Sequence, residues 1–272
     1  MADDASGSGT SIMLLLSSTL VLALGALIGW YILSKQSAAI SQKSLAIASG
    51  TSTISQPKNT VVITGPMGSG KTSLWCHLRF PATSASSAAP RTQTSMAINA
   101  AHMDEGRAYL VDVPGHQKFR FDRDTQLKAA RAVVFVVDSV QVARDIRATA
   151  ETLYDVLASA SVQENECPVL VLCNKQDDAL ALPNIRVKEM LEEEIDGLRG
   201  SRQAGLDSLQ DTADDDAAVE EKAGDYLGID GKKFVFEDLC HPVQFNESSM
   251  VIGHDAGGLE QVEQWISESL HT

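Results

Sequence analysis

A chain of 272 residues has room for one sizeable domain with extensions. Its 22 Lys and Arg are outnumbered by 36 Asp and Glu, giving a net charge of −14 and a pI of about 4.8. No basic stripe runs along it, which argues against a surface that neutralises phosphate backbones, so direct nucleic-acid binding is not expected. Cys76, Cys167, Cys173 and Cys240 form no C-x-x-C pair and mostly fall in apolar runs, a pattern of reduced, buried thiols and not of a disulfide frame or metal site.

Residues 1–11 are small, polar and acidic, and are expected to be disordered. From Ile12 to Leu33 no acid or base interrupts IMLLLSSTLVLALGALIGWYIL, long enough to cross a bilayer's hydrocarbon core. A cleaved signal peptide would have a basic leading region, whereas Asp3 and Asp4 precede this stretch, so it reads as an uncleaved transmembrane anchor. Trp30 and Tyr31 suit the interface, and Lys35 and Lys43 beyond them place the C-terminal bulk in the cytosol. Residues 34–57, rich in Ser, Ala, Gln and Thr, read as a linker to a domain over 58–272.

Asn59 to Thr64 is a β-branched run ending at Gly65, where Gly65-Pro66-Met67-Gly68-Ser69-Gly70-Lys71-Thr72 fits the G-x-x-x-x-G-K-[ST] phosphate loop. Its glycines let successive N–H groups turn inward at phosphate oxygens. Lys71 supplies a point charge for the β- and γ-phosphates, Thr72 a hydroxyl for Mg²⁺, and Ser73 continues into a helix reaching Leu78, whose N-terminal dipole favours the anion. Met96–Ala100 and Tyr109–Val113 flank the turn Asp104-Glu105-Gly106 as a hairpin. Ala132–Asp138 and Val169–Cys173 are continuous apolar runs typical of strands covered on both faces, with a crossover helix from Val142 to Leu157 between them. This alternation predicts an α/β fold with a mostly parallel central sheet and helices on both faces. An acidic stretch from about Gly200 to Lys233 holds few large apolar residues and reads as a mobile insertion. Pro242–Phe245 then forms a last strand, and Leu259, Val262, Ile266 and Leu270 give a last helix one apolar face.

Asp112-Val113-Pro114-Gly115-His116 follows a strand at a suitable distance from the phosphate loop. There Asp112 can hold the hydration shell of Mg²⁺, and the Gly115 N–H can meet a γ-phosphate oxygen. Asn174-Lys175-Gln176-Asp177 is more discriminating. The Asp177 carboxylate can accept from guanine N1–H and the 2-amino group, while Asn174 either braces the loop or touches the base. Adenine would leave that carboxylate unpaired, so the pattern predicts GTP over ATP. Thr94, with Thr92 as the alternative, is the candidate switch threonine completing the Mg²⁺ shell, and Ser249 in Glu247-Ser248-Ser249 can bring a backbone N–H to the guanine carbonyl.

The set G-P-M-G-S-G-K-T, T-Q-T-S, D-V-P-G-H, R-A-V-V-F-V-V-D-S and N-K-Q-D, behind one N-terminal span, resembles the β subunits of the signal recognition particle receptor, relatives of the Arf/Sar P-loop GTPases. The likeness runs from Ile12 to the last helix, and that family carries a variable insertion before the last strand. It implies a GTP- and Mg²⁺-binding chain that holds the receptor's α subunit at the endoplasmic reticulum membrane, near the ribosome or translocon, with the GTP-bound switch face gripped by the α subunit. The alternative is a freestanding Arf/Sar-like trafficking GTPase with a membrane anchor; a P-loop kinase or ATPase would have no use for Asp177 in reading a base. Ras-type relatives have glycine at the position of Met67 and a water-orienting glutamine at that of His116. Slow or partner-dependent hydrolysis is expected, with His116 as the candidate catalytic residue.

Overall fold

Thr60–Thr64, all β-branched and all buried, form strand β1 at the middle of the sheet. Helix α1 (Lys71–Arg79) follows, then β2 (Asn99–His102), β3 (Tyr109–Asp112), a 3-10 turn (Gln117–Phe119), α2 (Arg120–Leu127) and β4 (Ala130–Asp138). Next come α3 (Ile146–Leu157), α4 (Ala160–Glu164), β5 (Val169–Asn174), α5 (Asn184–Gln210), a 3-10 turn (Phe236–Asp238), β6 (Val243–Glu247) and α6 (Gly257–His271). The computed structural model describes residues 57–80, 92–103, 106–210, 227–251 and 257–271, with backbone alone over 203–210. The predicted anchor 12–33 and nearly all of the predicted linker lie outside the described residues, among which no helix is long and apolar enough to cross a membrane.

The strand order is β2-β3-β1-β4-β5-β6, parallel throughout except for the antiparallel β2–β3 pair. The expected hairpin is therefore present, but its first strand runs over Asn99–His102 and not Met96–Ala100, in a register from Asn99↔Asp112 to His102↔Tyr109. Because β1 has β3 on one side and β4 on the other, the loop leaving its C-terminal end opens at a crevice between diverging connections, where α/β sheets bind ligands.

Alternation along the strands divides the apolar side chains between two faces. Val61, Ile63, Val134 and Val136 pack with Leu74 and Leu78 of α1 and with Val262, Trp265 and Ile266 of α6. Val62, Val133, Phe135 and Val137 pack with Leu153, Tyr154 and Leu157 of α3 and with Val187, Leu191 and Ile195 of α5. Each such side chain, fully buried, stabilises the fold by roughly 1.5–3 kcal/mol before entropy is counted.

Two further boundaries differ by several residues from those expected. The crossover helix begins at Ile146, not Val142, because the Asp138 carboxylate accepts from the N–H groups of Val140 and Gln141 and shapes a turn first. Where a mobile insertion is expected to start, at Gly200, the helix α5 continues to Gln210. Gly197 and Gly200 look like breaks, yet they occupy exposed helical positions with open space around them, a cost of roughly 0.5–1 kcal/mol each that the helix tolerates. Arg202 supports this part of α5 by packing over the Tyr154 ring at 4.1 Å and donating to Asp155 at 3.0 Å. The far end of the predicted insertion is also built into the body. Leu227 is buried, and the Arg199 guanidinium donates to the carbonyls of Leu227 (3.2 Å) and Lys232 (2.7 Å). Residues 211–226 lie outside the described set.

Candidate nucleotide-binding site

The loop from β1 to α1 requires its glycines for specific reasons. Gly65 has φ +135, and a Cβ on it would lie 2.3 Å from Val136 O; Gly70 has φ +99, and its Cβ would lie 2.2 Å from Asn174 Nδ2. Any side chain at these two positions would be strained and would collide with a neighbouring strand or loop. Gly70 caps α1, so the free N–H groups of that helix's first turn face the loop.

Lys71 is buried, and its Nζ donates to Pro66 O at 2.6 Å, a carbonyl that also accepts from Ser69 Oγ at 3.0 Å. Burial pulls the amine down to about 8, against the opposing pull of the Asp112 carboxylate. A buried ammonium whose hydrogen bonding among the described residues ends at one carbonyl is poised for an anion, which would supply the missing acceptors. Ser73, in the first turn of α1, has its carbonyl 2.7 Å from His77 Nδ1.

Thr72 Oγ1 donates to Asp112 Oδ2 at 2.8 Å. The other oxygen, Asp112 Oδ1, is buried with no hydrogen-bond partner among the described residues. Paired hard oxygen donors and an orphaned carboxylate oxygen beside a phosphate loop fit hydrated Mg²⁺. Thr94 is not brought to this group; it is exposed in the segment before β2. Asn99 is the residue from that side that reaches it, donating through Nδ2 to Asp112 Oδ2 at 3.0 Å and to Ser95 Oγ at 3.2 Å. Its part was invisible in sequence because it depends on the hairpin register that sets Asn99 opposite Asp112.

Gly115 presses on the phosphate loop so closely that a Cβ there would lie 2.4 Å from Gly65 O and 2.8 Å from Met67 N. His116 next to it is exposed, and its Nδ1 accepts from Lys118 N at 3.2 Å, starting the 3-10 turn. Met67 is 53% exposed. These residues open onto a cleft of about 700 Å³ whose far wall is α3. There Asp155 pairs with Arg120 (3.1 Å) and Arg123 (3.5 Å) of α2 and with Arg202 (3.0 Å) of α5.

At the base-recognition end, Asn174 is buried, and of its two expected roles the structure has it bracing: Nδ2 donates to Ser69 O at 2.8 Å. Ser248 Oγ donates to Asn174 Oδ1 at 3.4 Å. Lys175 adopts φ 71 and pairs its amine with Asp138. Asp177 is half-buried, and its Oδ1 accepts from Ser249 Oγ at 2.7 Å. Ser249 thus takes part through its hydroxyl, which also accepts from Val251 N at 3.2 Å. Cys173, directly before this loop, is buried, and burial pushes its thiol up to about 12, leaving it a packing residue.

Comparison with known proteins agrees with this geometry. The sequence profile of the family described as "Signal recognition particle receptor beta subunit" matches residues 56–243. The mouse "Signal recognition particle receptor subunit beta" is 36% identical over 186 residues, 65% of this chain and 66%, just under two thirds, of the mouse protein's length. Among solved structures, "The Structure of the Mammalian SRP Receptor" contains a similar chain at TM-score 0.61 and 31% identity, covering 78% of this chain and 100% of that one. A second, "Signal recognition particle receptor SRb-GTP/SRX complex from Chaetomium thermophilum", is similar at TM-score 0.57 and 25% identity over 77% of this chain and 99% of that one. With phosphate loop, Asp112 and base loop gathered at one end of a mostly parallel sheet, the chain belongs to the signal recognition particle receptor beta subunit family.

Proposed function

We propose that this chain binds GTP with Mg²⁺ and, anchored by residues 12–33, holds the receptor's α subunit at the endoplasmic reticulum membrane for co-translational protein targeting. The observation that carries the nucleotide part is the join between base end and phosphate end. Asn174 binds Ser69 of the phosphate loop, and three residues further on Asp177 is held by Ser249. A carboxylate steadied in this way matches the paired donors of guanine and is left desolvated and unpaired by adenine. Lys71 would hold the phosphates, Thr72 would hold Mg²⁺, and Asp112 would do so through water; bound Mg²⁺ supplies positive charge against the phosphate oxygens. Gly115, packed on the loop, and exposed His116 belong to the segment that would meet the third phosphate, with His116 completing hydrolysis only alongside a partner. The Chaetomium relative solved with GTP and SRX supports this assignment of ligand and partner.

The test is nucleotide competition on the purified chain. GTP is expected to outcompete ATP, and Asp177→Asn to weaken GTP by about 10²-fold while shifting preference toward xanthosine triphosphate. Equal uptake of ATP and GTP overturns the assignment. Extraction in mild detergent should bring a stoichiometric second subunit with the chain; a freestanding trafficking switch would arrive alone.

A further inference from the structure

Within the loop Asn174–Asp177, the Gln176 side chain ties the loop to the turn after β4 and to the approach to α5. Its Nε2 donates to Leu182 O at 2.9 Å and to Ser139 Oγ at 3.1 Å, while its backbone N donates to Ser248 O at 3.1 Å. Leu182 N donates to Ser139 O at 3.0 Å, and Ser139 N to Asn174 O at 3.0 Å. These bonds close a ring through the turn after β4, the base loop and the approach to α5, and Ser248 ties the ring to the turn after β6. A carbonyl can only accept, so the position calls for an N–H donor at glutamine's reach, and a carboxylate would meet the Leu182 carbonyl with its own oxygens. The loop needs outside support because Lys175 is a non-glycine residue in left-handed backbone, at φ 71.

We propose that Gln176 is a positioning residue for guanine selectivity: without touching nucleotide, it fixes the base loop against the ends of β4 and β6 and so sets where Asp177 presents its carboxylate. The inference rests on the guanine reading above. GDP and IDP differ by the 2-amino group that Asp177 would accept from, so the ratio of their affinities reports carboxylate placement, which overall stability does not.

The experiment uses the full chain in detergent and measures GDP, IDP and ADP affinity, GDP release, and thermal unfolding without nucleotide. Gln176→Met keeps length and removes both donors. It is expected to speed GDP release about tenfold and to cut the GDP-over-IDP preference about three- to tenfold, as the loss of one or two neutral hydrogen bonds would. Ser139→Ala is expected to lower the same preference by about threefold and to add nothing to Gln176→Met in the double variant. Should Gln176→Met not fold, Ser139→Ala alone carries the test. A lower unfolding temperature with the GDP-to-IDP ratio unchanged overturns the inference and leaves the guanine reading standing. Equal affinity of the unsubstituted chain for GDP and ADP overturns the guanine reading and the inference with it.

Discussion

The base end and the switch end of the site are built differently. At the base end each side chain of Asn174–Asp177 has a protein partner: Asn174 on Ser69, Asp177 on Ser249, Lys175 on Asp138, Gln176 on Ser139 and Leu182. At the switch end, among the described residues, Asp112 Oδ1 is buried without a hydrogen bond, Lys71 Nζ bonds one carbonyl, and Thr94, His116 and Met67 are exposed. The first region is preorganised; the second holds unmet groups that the proposed ligand would satisfy. Preorganised contacts contribute to folding whether or not a ligand is present, whereas unmet groups weaken the free protein and strengthen the complex.

Three substitutions would break or sharpen that contrast. The largest effect should come from Lys71→Ala, expected to weaken nucleotide binding at least about 100-fold, since it deletes charge-assisted bonds to phosphate. The same change should leave the nucleotide-free Tm unchanged or higher, because the buried amine is poorly compensated. A clear drop in Tm would show that the switch end is as internally satisfied as the base end. Next, Asn174→Ala should cost the nucleotide-free protein about 1–3 kcal/mol, read from urea midpoints, because Ser69 O loses its buried donor. If the midpoint holds, the base end is not preorganised in the sense argued here. The third substitution concerns an unmet buried group outside the site. His241 is buried with Nε2 unpaired among the described residues, and burial lowers its imidazole from 6.5 to about 4. A folded-state value below the unfolded one means stability is fully present above pH 6.5 and is lost as pH falls through 4, by about 3 kcal/mol in all. Urea midpoints measured over that window should fall steadily, and His241→Phe should flatten the slope; an equal slope in the variant would place the acid sensitivity elsewhere.

The same division explains what could be read from sequence. β1, β4 and β5 were legible because continuous Val, Ile and Leu runs specify strands buried on both faces, and the loop glycines because local backbone conformation demands them. Asn174 and Asp177 were legible as a spaced motif. Asn99 and Gln176 were not singled out, because each acts through residues brought alongside by strand register or loop packing. Thr94, expected to complete the Mg²⁺ shell, lies exposed before β2, and a Ser/Thr-rich stretch gives no sign that Asn99 is the residue from that side bonded to Asp112. The run of α5 past Gly200 was missed because the glycines there are exposed, so the cue to a break lost to the tertiary contacts of Arg199 and Arg202.

The carbonyl clamp made by Arg199 also bears on how this protein can change. It fixes the re-entry of the chain at Leu227 to a point on α5 about 16 Å of helix before Gln210. The described residues of the nucleotide site lie elsewhere, on the phosphate loop, at Asp112 and Gly115, and around Asn174–Asp177 and Ser249. A fluorescent reporter grafted between Gln210 and Leu227 is therefore expected to leave nucleotide affinity unchanged, because the clamp holds the returning chain on its own.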